Sequence, residues 1–130
     1  MPDFTLAALD GSTVTLSNLY GQVIVIDFWT TWCGPCVESL PHLQNVHERY
    51  ADRGVTVLAI NIEESSGEIS QFVGGRYTFP ILLDQDGKVS DAYRVWAIPY
   101  TLVIDQTGSS QEIPMGPMGV ESVVVELLNP

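Results

Sequence analysis

Hydrophobic positions fall into two patterns along this chain. From Val23 to Trp29 (VIVIDFW) they are nearly continuous, β-branched or aromatic, and broken only by Asp27. Such a run reads as a strand buried on both faces, hence a central one. Val55 to Ile62 (VTVLAINI) repeats the pattern, and Tyr100 to Asp105 gives a third strand that Gln106-Thr107-Gly108 turns back. Phe4 to Leu16 alternates loosely about Asp10-Gly11-Ser12 and reads as a hairpin. Phe79 to Leu83 reads as extended, and Gln111 to Met115 as a short edge strand.

The second pattern is helical. Leu40, Leu43, Val46 and Tyr50 recur at helical spacing until Gly54 stops them, and Pro41 predicts a kink. Ser65 and Glu68 fit a capping box ahead of Ile69, Phe72, Val73 and Tyr77 on one helical face. Asp84 to Gly87 reads as a turn and Val89 to Tyr93 as a short helix. Val120, Val123, Val124, Leu127 and Leu128 make a closing amphipathic helix. This order predicts an α/β fold: a mixed central sheet flanked by helices on both faces, with a right-handed first crossover. No internal repeat or low-complexity tract is present.

Length changes the picture only by limiting it. At 130 residues the chain makes one domain. It can bury roughly two-thirds of its unfolded surface, so it needs no staple or metal to hold a core. The formal charge of −11, from 16 acidic and 5 basic residues, disfavours nucleic acid and anionic membranes as partners. No run of 18 apolar residues suits a membrane span and no signal peptide is visible. A cytosolic protein and a domain whose export signal lies elsewhere both fit this.

The candidate chemistry lies in TTWCGPC, residues 30–36, which holds the only two cysteines. Cys33 and Cys36 close almost no loop, so a disulfide between them adds little as a staple. Cys33 falls where a buried strand gives way to a helix. A thiolate at a helix N-terminus meets free N–H groups and a partial positive charge, which lowers its pKa. Pro35 suits the first turn. The pair is therefore placed for thiol–disulfide exchange, with Cys33 attacking and Cys36 resolving.

The segment Phe28-Trp29-Thr30-Thr31-Trp32-Cys33-Gly34-Pro35-Cys36 resembles the active site of thioredoxin-fold oxidoreductases. Phe4-Thr5-Leu6, the Asp10-Gly11 turn, Asn18 to Gly21 and Ile60 to Ser65 resemble the TlpA/ResA-like branch. So do Phe79-Pro80, Leu83-Asp84, Ala92 to Val95, Ile98-Pro99 and Thr101. The resemblance implies a thioredoxin fold with an extra N-terminal hairpin (1–21) and a core (22–130) with an insert around 63–79. It implies a disulfide reductase acting on protein disulfides or dithiols, as in cytochrome c maturation. Its electrons would come from a thioredoxin reductase or a membrane thiol carrier. It favours an extracytoplasmic compartment over the cytoplasm. The redox-active disulfide would serve without another cofactor, in a monomer.

It also implies roles for single residues. Pro99 matches a cis-proline beside the cysteines, although Ile98-Pro99 alone could be an ordinary trans turn. Trp32, Gly34, Pro35, Ile98 and Gly116 would line a groove for an extended partner chain. Asp27 matches an acid behind the second cysteine that assists its proton transfer; the plainer reading is an aspartate at a strand edge, facing water. Glu64 matches a functional acid of the ResA-like branch; the plainer reading is a solvated strand end. Val37 and Glu38 depart from a branch that often has a basic residue after the second cysteine. Glu38, read as lying in the first turn, suits the helix dipole but opposes a thiolate at Cys33.

Three rivals remain. Cys33, Cys36, His42 and His47 give C-x2-C-x5-H-x4-H, but the histidines stand about 140° apart around a helix, a poor zinc geometry. They read as solvated helix residues, and no metal is expected. Thr30, three before Cys33, gives the TxxC of peroxiredoxins, which share the wider fold; Ile26 stands where their motif has a proline. The third rival is a thioredoxin-like module without catalysis.

Overall fold

The run VIVIDFW forms strand β3 (Val23–Trp29), every residue of it buried. In the computed structural model, which describes residues 1–129, β3 is the middle of a five-stranded sheet. The other strands are β4 (Val55–Ile62), β5 (Ile81–Asp84), β6 (Tyr100–Ile104) and β7 (Ser110–Glu112), in the order β5-β4-β3-β6-β7. β3, β4 and β5 run parallel, with Val23 opposite Val55 and Trp29 opposite Asn61. β6 is antiparallel to β3, with Asp27 opposite Thr101, and β7 is antiparallel to β6. Central β3 needs apolar side chains on both faces because both are covered.

The side chains of β3 alternate between two cores. Val23, Val25 and Trp29 join a cluster with Leu40, Leu43 and Val46 of helix α1 (Gly34–Tyr50). That cluster also holds Ile69 and Val73 of α2 (Ser66–Val73) and Val120 and Val124 of α4 (Val120–Leu128). Ile24, Ile26 and Phe28 face the other way, toward Phe4, Ala8, Leu16 and Tyr93. Strands β1 (Thr5–Ala7) and β2 (Thr13–Thr15) pair there as the predicted hairpin, and α3 (Lys88–Ala92) lies on the same side. Leu16 follows β2 and is wholly buried. Burying it contributes roughly 1.5–3 kcal/mol, which holds the hairpin to the sheet. Leu9 N–H donates to Ile81 O at 2.8 Å, so the hairpin also covers the β5 edge.

Three local expectations need correction. Tyr77 does not share the helical face of Ile69, because Gly74 and Gly75, both with positive φ, end α2 first. Arg76 then donates to Val73 O and Phe72 O, and Tyr77 stacks on Phe79 instead. The edge strand ends at Glu112 rather than Met115, ahead of Pro114, which has no N–H for a ladder. His47 is half-buried with its ring edge-on to Phe79, not a solvated helix residue. The capping box is present as read: Ser65 Oγ accepts from Glu68 N–H at 3.1 Å, and Glu68 reaches back to Ser65 N–H.

Candidate active site

The parallel strands β3 and β4 end at the same edge of the sheet, and the chain leaves β3 through Thr30 to Cys33 into α1. Cys33 is the N-cap, with extended backbone (φ −91°, ψ 103°), and its Sγ accepts from Cys36 N–H at 3.3 Å. Pro35 occupies the first turn, where no N–H is lost. Cys33 and Cys36 are joined as a disulfide with their Cα atoms 5.2 Å apart. The two cysteines differ in access: Cys36 is 0% exposed and Cys33 7%. Of the pair, only Cys33 presents any surface to an incoming group. Glu38 lies beyond the first turn, which holds no acidic residue, so the acid at the dipole's positive end expected from sequence is not there.

Ile98 O lies 3.9 Å from Cys33 Sγ, a contact that a thiol can use as a donor and a disulfide cannot. The Ile98–Pro99 peptide is cis. Gly116 faces Pro99, and a Cβ on it would stand 3.5 Å from Pro99 Cγ. Space would allow that contact; the φ of +64° is what favours glycine here. Pro35, Pro99, Met115, Pro117 and Met118 line a depression on this side of the disulfide. Trp32 and Ile98 line a second one on the other side.

Asp27 is fully buried on the face of β3 that α1 and Cys36 cover. Thr101 Oγ1 donates to its Oδ1 at 2.8 Å, and its Oδ2 has no partner among the described residues. Burial pushes its carboxyl up to about 7, and the Thr101 hydrogen bond only partly opposes this. A carboxyl poised there can take or give a proton near neutral pH.

Glu64 sits behind the loop rather than in solvent. Its Oε1 accepts from Thr31 N–H and from Asn61 Nδ2, each at 2.8 Å, and its Oε2 accepts from the Thr31 hydroxyl. It ties the end of β4 to the residue two before Cys33.

Sequence reading missed Thr31, Asn61 and Thr101: Thr31 and Thr101 matter through partners far along the chain, and Asn61 bonds to Glu64, three residues on, only because the chain turns back at the end of β4. Thr101 could be found once the β3–β6 register placed it opposite Asp27. Trp96 was also missed, though its place three residues before Pro99 was a visible signal; it is 88% exposed and lines the depression that holds Trp32. No described group of three or more histidines, cysteines or acids is arranged to hold a metal ion. No described helix is long and apolar enough to cross a membrane.

The comparisons agree on one kind of protein. The model of the AhpC/TSA family matches residues 1–112. The thiol-disulfide oxidoreductase ResA of Oceanobacillus iheyensis is 34% identical over 92% of this chain and 65% of that protein. ResA of Bacillus subtilis is 33% identical over 98% of this chain and 72% of that protein. This chain thus spans about two-thirds of the length of these relatives. A crystal structure from Chlorobium tepidum, described as a thiol:disulfide interchange protein DsbE, superposes with a TM-score of 0.87 at 29% identity. That match covers 98% of this chain and 94% of the other.

Proposed function

Since the chain belongs to the AhpC/TSA family and is a thiol–disulfide oxidoreductase of thioredoxin fold, we propose that it is a reductase of protein disulfides. The observation that carries this is the unequal sulfur pair at the start of α1: one sulfur within reach of a partner, one buried over an unsatisfied acid.

The cycle begins with both cysteines reduced. The Cys33 thiolate attacks one sulfur of a partner's disulfide. A Cys33–partner disulfide forms, and the other partner sulfur leaves as a thiolate and takes a proton from water. Cys36 then gives its proton to the Asp27 carboxylate and attacks Cys33 Sγ. The Cys33–Cys36 disulfide forms, and the second partner thiolate leaves. Two electrons pass from this chain to the partner, and a donor dithiol restores the pair. Pro99, Gly116, Trp32, Ile98, Gly34 and Pro35 shape the docking groove, and Glu64 holds the loop that carries Cys33.

The direction follows from charge. The helix dipole favours a Cys33 thiolate by about 0.3–1 kcal/mol, less than the ~1.4 kcal/mol of one pKa unit. The ionisable residues lining the two depressions are Glu38, Glu63 and Glu64, all acids. A thiolate stabilised so little leaves the dithiol a good electron donor. We further propose that residues 1–129 act as one domain, with the hairpin as an extension. An extracytoplasmic setting, with a membrane thiol carrier as donor, fits the ResA resemblance.

The test mixes the reduced protein with insulin and, separately, with hydrogen peroxide, following reoxidation by tryptophan fluorescence. Fast reoxidation by insulin and slow reoxidation by peroxide is expected. The reverse order would replace the reductase with a thiol peroxidase using Thr30 and Cys33.

A further inference from the structure

Beside the disulfide, on the Trp32 side, lies a cavity of about 420 Å3. Its walls include two indoles, Trp32 and Trp96, which are 75% and 88% exposed and the most exposed of the chain's large apolar side chains. Its floor includes Val95 and Ile98, and its ionisable residues are Glu63 and Glu64. The wall facing the cysteines is continuous with the reacting atoms, since Trp32 precedes Cys33 and Ile98 O is 3.9 Å from Cys33 Sγ.

Several features show that this cavity is built rather than incidental. Among the described residues, those other than glycine with positive φ are Glu63 (59°) and Arg94 (56°). One lies on the cavity wall and the other precedes the wall residue Val95. Backbone held in that region is unfavourable for side-chain-bearing residues and concentrates at functional sites. The Glu63 carboxyl is nested over Gly87, where a Cβ would stand 2.5 Å from Glu63 Oε1. Glu64 is held by Thr31 and Asn61. The Glu64 carboxylate is thus held in place before any partner arrives, while the Glu63 side chain stays exposed beside it.

The chain's cations do not answer these acids. Arg49 pairs with Glu121, Lys88 with Asp86, Arg53 lies over Tyr50, and Arg76 bonds to the end of α2. Arg94 is next to the wall in sequence but does not line the cavity. Exposed indoles attract cations through their π faces, and the two acids of the lining add negative charge.

We propose that this cavity receives a lysine or arginine side chain of the incoming protein, next to the cysteine that Cys33 attacks. The inference rests on the exchange reading above and names its substrate class: disulfides flanked by a basic residue. The cation sits between Trp32 and Trp96 with Glu63 and Glu64 beside it, and so aligns the partner's sulfur with Cys33.

The experiment uses two synthetic peptides, each with one internal disulfide, differing only in a lysine or a glutamate before the first cysteine. Rate constants for their reduction by the reduced protein are measured at low and high salt. The lysine peptide should react roughly tenfold faster at low salt. Trp96→Ala and Glu63→Gln should each bring the ratio of the two rates toward one. Asp52→Asn changes the net charge as Glu63→Gln does, but at the opposite end of the sheet, and should leave the ratio unchanged. Equal rates for both peptides in the wild type would overturn the cavity assignment while leaving exchange intact. So would a ratio that Asp52→Asn lowers as much as Glu63→Gln. Reduction of neither peptide would overturn the exchange reading, and this proposal with it.

Discussion

Two aspartates are buried in this sheet, and they behave in opposite ways. Asp84, at the end of β5, accepts from Val89 N–H at 3.1 Å through Oδ1 and from Ser90 N–H at 2.8 Å through Oδ2. It caps the start of α3, and both its oxygens are used. Asp27, in the middle of β3, has one hydroxyl donor for two oxygens. Asp84 lies where the chain needs backbone N–H groups satisfied, and Asp27 lies under the reactive pair. The lesson is that burial does not mark a functional acid. An unmet acceptor beside reactive groups does, because its retention lowers stability with no structural return.

The same contrast runs through the faces of the sheet. Ile24, Ile26 and Phe28 pack into an apolar and aromatic cluster on the hairpin side. On the α1 side, Asp27 Oδ2 and Trp29 Nε1 are buried without partners among the described residues. Both faces build the fold, but the α1 face also carries a buried, half-satisfied acid in the cluster that holds the cysteines.

The largest expected effect is on stability at Asp27. Its carboxyl is near 3.8 when unfolded and about 7 when folded, so the folded state holds the proton more tightly. Stability is therefore full below pH 3.8 and is lost as pH rises to about 7. The loss is about 4 kcal/mol at most. Asp27→Asn should accordingly be the more stable protein above pH 7, and the gap should close in acid. Urea unfolding across pH reads this directly; a gap constant with pH would mean that Asp27 is not buried as an acid.

Next comes rate. Asp27→Asn should slow resolution by Cys36 roughly a hundredfold, the lower range for losing a positioned base. The first attack by Cys33 should change little. Stopped-flow fluorescence separates the two phases, and equal slowing of both would remove the role given to Asp27. Asp84→Ala should do the reverse: exchange rates near wild type, and a stability loss of about 2 kcal/mol from the lost helix cap. If Asp84→Ala slowed resolution instead, the contrast would fail.

The smallest effect separates anchoring from proton handling at Glu64. Glu64→Gln keeps one carbonyl acceptor for Thr31 N–H or Asn61, so it should cost about 1 kcal/mol. The pH profile of the first attack should not move. A shifted profile would make Glu64 a proton-handling group.

Much of this was legible before any coordinates. The runs VIVIDFW and VTVLAINI became β3 and β4 because continuous β-branched sequence has few other uses. TTWCGPC placed Cys33 as an N-cap because a buried strand and a helical repeat meet there. What was not legible depended on register or on distance along the chain. Asp27 could be read as buried or edge-facing until β4 and β6 flanked it. Glu64 could be read as solvated because Thr31, which donates to both its oxygens, lies 33 residues away and meets it only in three dimensions. Tyr77 was misplaced because a helical spacing continues on paper through two glycines that the backbone uses to stop.

The central claim is that Cys33 attacks and Cys36 resolves. The most direct measurement incubates reduced Cys36→Ser and Cys33→Ser with a disulfide-bonded protein and weighs the products by mass spectrometry. Cys36→Ser should accumulate a one-to-one mixed disulfide through Cys33, and Cys33→Ser should give almost none, since the Cys36 sulfur is buried. No adduct with Cys36→Ser, or equal adducts with both variants, would contradict the account.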